Sequence, residues 1–546
     1  MSALLLAAQV LAVLTGTADA RALVTDPGGT VWVGTTGGLV RAEGDSTEVY
    51  TPRDGLPDGT VRSLLRKGPT LWVGTDRGVA RCRPDASGLH VQAVVGAGLR
   101  VEALAIHAGH LYLGTTTGLF EVREAEVVPH GPSGRVTALA SAGGDLYLTR
   151  PGRGTYRLQG ERLRRLRGDR FAWDLAADGD DLWIATSAGL EHRRAGRRRR
   201  DRVERASRDI PARDLRSVRL QDGQPVVGSL GGGAWRYSRG RFHALDTIPP
   251  GARVQTLTLG PEGWLAGTPD GVVGAGAPAN GGPFPDNDLS ALAQTDEGLW
   301  VGTFDHGLVL LRGDGTHQRF DETRGLLDDR INRLAVDDAG SLWVATDRGV
   351  VQRQGEGFVL RGLLDRHVFA LGFAAGAIHA GAGDTVVRFG DGGDTELFPP
   401  GARPQDFGGA ANLVVATAEG LVQATPDGWA LLTSDDGLED DWVTAVASGP
   451  DGLYLGTYAS GVARLSGGRV ETLRDDLWVN AGALVAVGSS LALGTLDDGL
   501  WLYAGERWTQ LDTAAGLPDD DVTAVLPAAD GTLWVATRGG LARVAL

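Results

Sequence analysis

Several residue types and motifs are scarce in this 546-residue chain, and each absence excludes a class of protein. Cys82 is the only cysteine, which excludes an internal disulfide framework and a zinc site built on cysteines. No apolar run reaches the roughly 18 residues that a membrane-spanning helix needs. HExxH, P-loop and CxxC motifs are also missing. We therefore expect neither a membrane span nor one of the common catalytic centres.

Positive charge is also in short supply. The chain has 68 acidic and 53 basic side chains and a net charge of -15, which argues against a nucleic-acid partner. The charge is uneven, with a net of +7 over residues 1–285 and -22 over residues 286–546. This division favours docking of the two halves or attraction of a cationic partner to the second half, and a plain solvated surface is the alternative.

A run of arginines, RRAGRRRRDR over residues 193–202, stands out within the first half. It could bind phosphate or an anionic polymer. Acidic residues such as Glu191, Asp201 and Glu204 interleave with it or flank it. We therefore interpret the run as part of an exposed, solvated strand or loop.

The N-terminus has the pattern of an export signal. Residues 3–14 are apolar, and Ala18-Asp19-Ala20 has small residues where signal peptidase requires them. We predict a signal peptide over residues 1–20, cleaved after Ala20, and a periplasmic or secreted bacterial protein. The alternative is that residues 9–14 form a β-strand of the fold.

One unit of about 39 residues repeats along the whole chain. Its core is LWVGT, followed by two or three residues and then Gly-Leu. Fourteen copies occur, and their fourth core residues stand at positions 34, 74, 114, 149, 185, 228, 267, 302, 345, 381, 416, 456, 494 and 536. Regular spacing of this kind indicates a repeat architecture.

Each unit predicts four short β-strands. An alternating segment such as residues 136–140 precedes an Asp/Gly turn and LWVGT, and two further strands follow. Four strands per 40 residues are typical of a propeller blade, in which Trp packs between blades and Gly lets the next sheet approach. The fold class is all-β, with two tandem seven-bladed β-propellers and 14 four-stranded blades. The propellers are predicted over residues 21–280 and 284–546, with a turn-rich linker at 277–283; one fourteen-bladed ring is the alternative.

The repeat resembles that of a known protein family. LWVGTxxGL, preceded in the last unit by GLPDDDVTAVLPAADGT, looks like the two-component regulator propeller repeat. That resemblance implies paired seven-bladed propellers of the kind found in periplasmic sensor regions of hybrid histidine kinases, where they bind saccharides or other ligands. The sequence here carries no kinase or receiver, so the resemblance implies fold and ligand binding more than signalling by this chain itself.

Loops on one face of the second propeller carry the candidate binding residues. The face, called the top face below, is made by the outer-to-inner connections and by the turns between second and third strands. Carboxylates and aromatic rings there could bind a sugar, and the same carboxylates could hold Ca²⁺; we otherwise expect no cofactor. The alternative is that Asp and Gly only form the turns. The candidates are Phe304, Asp305, His306, Asp328, Asp329, Arg330, Asp440, Asp441, Trp442, Tyr458, Asp497, Asp498, Asp519 and Asp520.

The function predicted from these patterns is binding of a saccharide or other small molecule, or of a protein partner, without catalysis. Two alternatives remain open. The first is a propeller lyase or glycoside hydrolase that uses top-face carboxylates, although units this short leave little loop for a deep cleft. The second is a pure scaffold for protein assembly.

Overall fold

The computed structural model describes residues 8–44, 46–131, 133–160, 162–166, 168–194, 204–205, 213–278, 282–390, 393–400 and 403–546. These residues form 55 β-strands and four short 3₁₀ helices. No helix in the described ranges is long and apolar enough to cross a membrane. The 55 strands confirm the predicted all-β fold.

The strands form fourteen antiparallel sheets, numbered here as blades 1–14 in chain order. Chain contacts divide them into two compact units, which we call the N-terminal and the C-terminal propeller. The N-terminal propeller spans Gly16–Gly282, and the C-terminal propeller contains residues 8–15 and Pro283–Leu546.

The N-terminal propeller contains blades 1–7. Blade 7 has three strands in the described part of the chain, whereas the other six blades have the predicted four. The strands are, for blade 1, Ala22–Thr25, Val31–Thr35, Gly38–Glu43, Ser46–Tyr50; blade 2, Val61–Lys67, Thr70–Thr75, Gly78–Asp85, Gly88–Val95; blade 3, Val101–His107, His110–Thr115, Leu119–Arg123, Glu126–Pro129; blade 4, Ala138–Ala142, Asp145–Arg150, Gly154–Gln159, Arg162–Arg165; blade 5, Ala172–Asp178, Asp181–Thr186, Gly189–Arg194, Glu204–Arg205; blade 6, Leu215–Gln221, Gln224–Ser229, Gly233–Ser238, Arg241–Ala244; and blade 7, Thr256–Leu259, Trp264–Thr268, Gly271–Gly274.

The C-terminal propeller contains blades 8–14. All seven are four-stranded. The strands are, for blade 8, Leu289–Thr295, Gly298–Thr303, Leu308–Leu311, His317–Phe320; blade 9, Ile331–Val336, Leu342–Thr346, Gly349–Gln354, Gly357–Gly362; blade 10, Ala370–Ala374, Ala377–Ala382, Thr385–Phe389, Thr395–Leu397; blade 11, Asp406–Gly408, Val414–Thr417, Gly420–Thr425, Gly428–Leu432; blade 12, Val443–Gly449, Gly452–Thr457, Val462–Ser466, Arg469–Arg474; blade 13, Val479–Val487, Ser490–Thr495, Leu500–Ala504, Arg507–Leu511; and blade 14, Val522–Pro527, Thr532–Thr537, Gly540–Ala545, Gln9–Leu14.

Each propeller closes into its own ring. The first strand of every blade contacts the first strands of its two neighbours, and the last blade of each set contacts the first. In the N-terminal propeller the hydroxyl groups of Thr25 and Thr258 meet at 3.2 Å across this closure. In the C-terminal propeller the Thr523 hydroxyl donates to the Leu289 carbonyl at 2.7 Å. The predicted division into seven and seven blades is therefore confirmed.

The outer strand of blade 14 comes from the other end of the chain. Gln9–Leu14 pairs antiparallel with Gly540–Ala545, and the Val10 side chain is buried against Val544 and its neighbours. This is the strand alternative that the sequence left open for residues 9–14. Ala20 is fully buried in the N-terminal propeller. Cleavage after Ala20 stays a prediction, and such cleavage would remove the strand Gln9–Leu14.

The repeated LWVGT core is explained by packing between blades. A Cβ atom on Gly302 would lie 2.7 Å from the Ile331 side chain of the next blade, and only glycine avoids that overlap. The buried Thr303 hydroxyl donates to the Gly307 carbonyl and so closes the turn to the third strand. The Trp300 ring is fully buried in the core between blades 8 and 9. The predicted roles of Trp and Gly are thus visible in this repeat.

The arginine run begins in the third strand of blade 5. Arg193 is buried and its guanidinium lies 3.5 Å from the Glu191 carboxylate, so this first residue of the run is not on the exposed loop that we predicted. Residues 195–203, which hold most of the run, lie outside the described residues.

Candidate functional site on the C-terminal propeller

Three outer-to-inner connections of the C-terminal propeller share one turn. Each begins with a single 3₁₀ turn, which ends at a glycine with a φ near 100°, and a buried leucine follows. Gly325, Gly437 and Gly516 occupy this left-handed position, with φ values of 95°, 104° and 100°. The Gly-Leu pair in these loops is therefore a backbone requirement, because other residues adopt this conformation at a cost.

Six of the predicted site residues hold the same loops together. The first aspartate of each pair accepts a hydrogen bond from the backbone N–H two residues later. The second accepts one from the first residue of the 3₁₀ turn. The pairs are Asp328 and Asp329, Asp440 and Asp441, and Asp519 and Asp520. Turn formation accounts for these carboxylates, as local side-chain bonding to the backbone commonly does.

Trp442 and Tyr458 meet on the top face of blade 12, and Trp478 of blade 13 extends the group. The Trp442 and Tyr458 rings are stacked, with centroids 4.4 Å apart and planes 17° from parallel. Tyr458 and Trp478 are stacked at 5.6 Å and 27°. Trp442 is 38% exposed and Trp478 is 47% exposed. We call these three residues the aromatic stack.

Backbone hydrogen bonds fix the loops that carry the aromatic stack. The Tyr458 N–H donates to the Trp442 carbonyl at 2.9 Å, and the Leu496 N–H donates to the Trp478 carbonyl at 3.1 Å. Asp440 connects the two loops of blade 12, because its second oxygen accepts a bond from the Ala459 N–H at 3.0 Å. Asp440 therefore positions Trp442 and Tyr458 relative to each other.

The three-residue turn of blade 13 brings two predicted carboxylates to the same face. Asp497 and Asp498 are both exposed at this turn, and the Asp498 N–H donates to the Thr495 hydroxyl. Burial, followed by the nearby carboxylates of Asp497 and Asp520, raises the pKa of Asp498 above its ordinary value of 3.8. Closely spaced carboxylates of this kind favour a ligand that donates hydrogen bonds or carries positive charge.

A second group of predicted residues lies on blade 8. His306 Nδ1 lies 2.6 Å from Asp305 and 3.6 Å from Asp286, a residue just before the first strand of the blade. The Asp286 carboxylate 3.6 Å away, followed by the Asp305 charge, raises the pKa of His306 to about 9. His306 is thus an imidazolium at neutral pH.

The same three residues could in principle hold a divalent cation. One ligand atom from each of Asp286, Asp305 and His306 lies within 4.8 Å of the others. A histidine must be neutral to bind a metal, and the raised pKa of His306 opposes that at neutral pH. The group is therefore better described as an ion pair network than as a metal site, and Ca²⁺ binding by the top-face carboxylates stays a prediction.

Arg538 of blade 14 joins this group across the closure of the ring. Its guanidinium lies 4.1 Å from the centre of the Phe304 ring and 2.8 Å from oxygens of both Asp288 and Asp521. Burial raises the pKa of Asp288 to about 6, although Arg538 acts in the opposite direction. Arg330 forms a separate pair with Asp347 of its own blade at 3.3 Å.

Sequence reasoning did not select Trp478, Asp286, Asp288 or Arg538. Trp478 stands directly before the first strand of its blade, as Trp442 does, and this shared position is the signal that would have found it. Asp288 and Arg538 are 250 residues apart in sequence, so only closure of the ring brings them together.

The architecture and the top-face loops define a tandem seven-bladed propeller protein. The sequence profile of the family described as Two component regulator propeller matches residues 516–539, the loop and LWVAT core of blade 14. The predicted resemblance to this repeat is thereby confirmed. No curated protein shows a significant sequence match to the chain.

Solved structures are similar to this chain at low sequence identity. PorZ of Porphyromonas gingivalis, a bacterial surface component of the type-IX secretion system, is 15% identical to this chain, with a TM-score of 0.73. That match covers 97% of this chain and 86% of PorZ, so the likeness extends to both propellers. The extracellular domain of the two component system protein BT4673 from B. thetaiotaomicron is also 15% identical, covering 98% of this chain and 81% of that one, with a TM-score of 0.40.

Proposed function

We propose that the chain is an exported binding protein, and that its C-terminal propeller binds a saccharide on the top face. The observation that carries this proposal is the aromatic stack of Trp442, Tyr458 and Trp478, which keeps both indoles substantially exposed. Exposed aromatic side chains held in a fixed arrangement are typical of binding surfaces, since they combine a large apolar area with a polar edge.

The chemistry around the aromatic stack favours a neutral, hydroxyl-rich ligand. A sugar ring has an apolar face that packs on an indole and hydroxyl groups that donate to carboxylates. Asp497 and Asp498 lie on the turn whose Leu496 N–H donates to the Trp478 carbonyl, where they can accept such hydrogen bonds. The net charge of -22 over residues 286–546 disfavours an anionic ligand on this propeller.

The loops are organised before any ligand arrives. Asp440 and the backbone bond from Tyr458 to Trp442 hold the two rings of blade 12 face to face. Binding therefore costs little additional ordering of side chains, which increases affinity for a given contact area.

The proposal is tested by titrating the protein with a panel of neutral oligosaccharides and recording calorimetric heats and tryptophan fluorescence. We expect Trp442→Ala and Trp478→Ala each to weaken binding about 3- to 10-fold, because an aromatic contact contributes about 0.5–1.5 kcal/mol. Phe398→Ala is the matched control, since Phe398 is 68% exposed on blade 10 and stands outside the stack.

Three results would count against this function. Saccharide binding that survives the double variant Trp442→Ala/Trp478→Ala would place the site elsewhere. Cleavage of an oligosaccharide that is lost in Asp497→Ala would show instead that the carboxylates serve a lyase or glycoside hydrolase. Capture of a stable protein partner without any saccharide response would support the scaffold alternative.

Export is part of the same proposal. The apolar residues 3–14 and the small residues at Ala18 and Ala20 support it. Fractionation of a bacterium that expresses the chain should place it in the periplasm or the medium, and recovery from the cytoplasm alone would contradict export.

A further inference from the structure

The N-terminal propeller encloses a central channel whose lining is strongly polar. The channel has a volume of about 580 Å³, and all seven blades contribute residues to its wall. Five arginines and only two carboxylates, Glu102 and Asp174, line it. This volume lies within the range of small-molecule sites.

A β-bulge directs one side chain of a blade toward this channel. In blades 2, 3, 5 and 6 the second residue of the first strand falls at a shift in the pairing register and has no paired residue opposite it. Arg21, Thr137 and Gln255 stand at the same position, directly before the first strands of blades 1, 4 and 7. Bulges commonly redirect side chains in this way next to functional sites.

These positions form a continuous arc of hydrogen-bond donors. Blades 5, 6, 7, 1 and 2 are consecutive around the closed ring, and each provides a donor to the channel wall. The donors are Trp173, Arg216, Gln255, Arg21 and Arg62. Glu102 of blade 3 and Thr137 of blade 4 occupy the remaining part of the ring.

Acidic neighbours satisfy only part of this donor capacity. All five lining arginines have an acidic partner: Arg21 pairs with Asp19, Arg62 with Asp76, Arg66 with Asp26, Arg216 with Asp214 and Arg219 with Asp174. A guanidinium has five N–H donors, so a single carboxylate leaves several of them available.

Four buried donor atoms of the channel lining have no hydrogen-bond partner among the described residues. They are Trp173 Nε1, Arg216 Nε, and Nε and Nη1 of Arg66, whose guanidinium is ion-paired with Asp26 at 2.6 Å. A buried donor without an acceptor is destabilising, and a ligand acceptor removes that cost. The Arg216 guanidinium is also stacked 3.9 Å from the centre of the Trp173 ring, which holds these two donors side by side.

In the C-terminal propeller, the residues at the same position of each first strand have a different role. None of them is charged: they are Ser290, Asn332, Phe369, Gln405, Thr444, Asn480 and Thr523. Four of these seven donate to a backbone carbonyl of the next blade and so join neighbouring blades. The fold itself therefore does not require arginine at this position, and its presence in the N-terminal propeller needs another reason.

We propose that the channel of the N-terminal propeller binds a small organic oxyanion, a molecule that carries a carboxylate or phosphate group. The oxyanion accepts hydrogen bonds from Trp173 Nε1 and from the guanidinium groups of the donor arc, since guanidinium pairs well with both kinds of group. Glu102 and Thr137 face the other side of the ligand and accept bonds from its hydroxyl or amino groups. This site is independent of the saccharide site proposed on the C-terminal propeller.

The test uses the full chain with glucuronate and inorganic phosphate as probes, and with glucose and sodium chloride as uncharged and ionic-strength controls. We expect saturable calorimetric binding of at least one probe that persists in Trp442→Ala/Trp478→Ala, and no binding of glucose by that double variant, in which the proposed saccharide site is removed. Binding of glucuronate alone identifies a carboxylate ligand, and binding of phosphate alone identifies a phosphate ligand. Trp173→Phe keeps an aromatic ring but removes the N–H, and we expect about tenfold weaker binding from the loss of a bond to a charged acceptor.

Arg216→Gln should weaken probe binding at least as much as Trp173→Phe does. Arg241→Gln is the matched control, because Arg241 is exposed on the outer strand of blade 6 of the same propeller. Trp442→Ala should leave probe binding unchanged, which separates this site from the saccharide site. The proposal is overturned if neither probe binds saturably or if probe binding is unchanged in Trp173→Phe. If Arg216→Gln does not fold, Trp173→Phe alone decides the test.

Discussion

Aspartates on the top face of the C-terminal propeller differ in what their oxygens contact. Asp441 and Asp520 accept hydrogen bonds from backbone N–H groups of their own loops. Asp305 faces the His306 imidazole, and Asp286 does both, because it lies near the imidazole and also accepts a hydrogen bond from the Asp288 N–H at 3.3 Å. Residue type alone therefore does not separate a carboxylate that shapes a turn from one that sets the charge of a neighbour.

The positive charge of His306 at neutral pH can be tested. Its pKa in the folded protein is raised to about 9 from an ordinary value of 6.5, so its ion pairs contribute to stability fully below about pH 6.5. That contribution disappears as the pH rises through 9. An NMR titration of the imidazole should therefore show a pKa well above the ordinary value, and Asp286→Asn should lower it markedly. A titration near 6.5 in the unsubstituted protein would contradict the network.

Only two of the three residues in the aromatic stack were predicted from the sequence. Trp442 and Tyr458 were predicted because they stand in recognisable loops of the repeat, whereas Trp478 stands in a loop without the Gly-Leu-Asp-Asp pattern. The pairing of Arg538 with Asp288 could not be predicted from spacing, because it depends on which blade follows the last one around the ring.

At the scale of the element, the second strand of each blade carries most of the information that specifies the fold. Its tryptophan or other apolar residue fills the core between blades, its glycine permits close approach, and its threonine closes the next turn. These are local requirements repeated in each blade, which is why the repeat pattern predicted the strands well. The aspartate pairs of the loops are equally local, and the sequence left open whether they bind a ligand or form the turn.

The close approach at glycine can be tested directly. Gly302→Ala should lower the free energy of unfolding by about 1–3 kcal/mol, because the new Cβ atom would lie 2.7 Å from Ile331 in a packed interface. Gly313→Ala is the matched control, since a Cβ atom there meets nothing within 4 Å. Urea unfolding measures both variants. Equal stability of the two would show that the blades can separate without cost.

At the scale of the whole molecule, counting repeats was sufficient to predict fourteen blades and their division into two rings of seven. The origin of the last outer strand was less certain, because residues 9–14 are apolar enough to serve either as part of a signal peptide or as a strand. Hydrophobicity does not distinguish these two uses, and the partner strand Gly540–Ala545 lies at the opposite end of the sequence, so no local pattern could reveal the pairing.

The contribution of this strand is measurable. Val10→Ala should lower the stability of the C-terminal propeller by about 1–2 kcal/mol, because Val10 is only 3% exposed, and Leu11→Ala should have little effect, because Leu11 is 41% exposed. Hydrogen exchange of peptides from blade 14 should increase in the first variant while peptides from blade 1 stay protected. Identical exchange in both variants would show that the strand does not support the ring.

The closing strand also determines the order in which the molecule can be assembled during synthesis. All of the N-terminal propeller is available for folding once Gly282 has left the ribosome, whereas the C-terminal ring needs its final residues before Gln9–Leu14 finds a partner. Gln9–Leu14 must therefore remain unpaired while the N-terminal propeller and most of the C-terminal propeller are translated, and blade 14 becomes complete only after Gly540–Ala545 has been made.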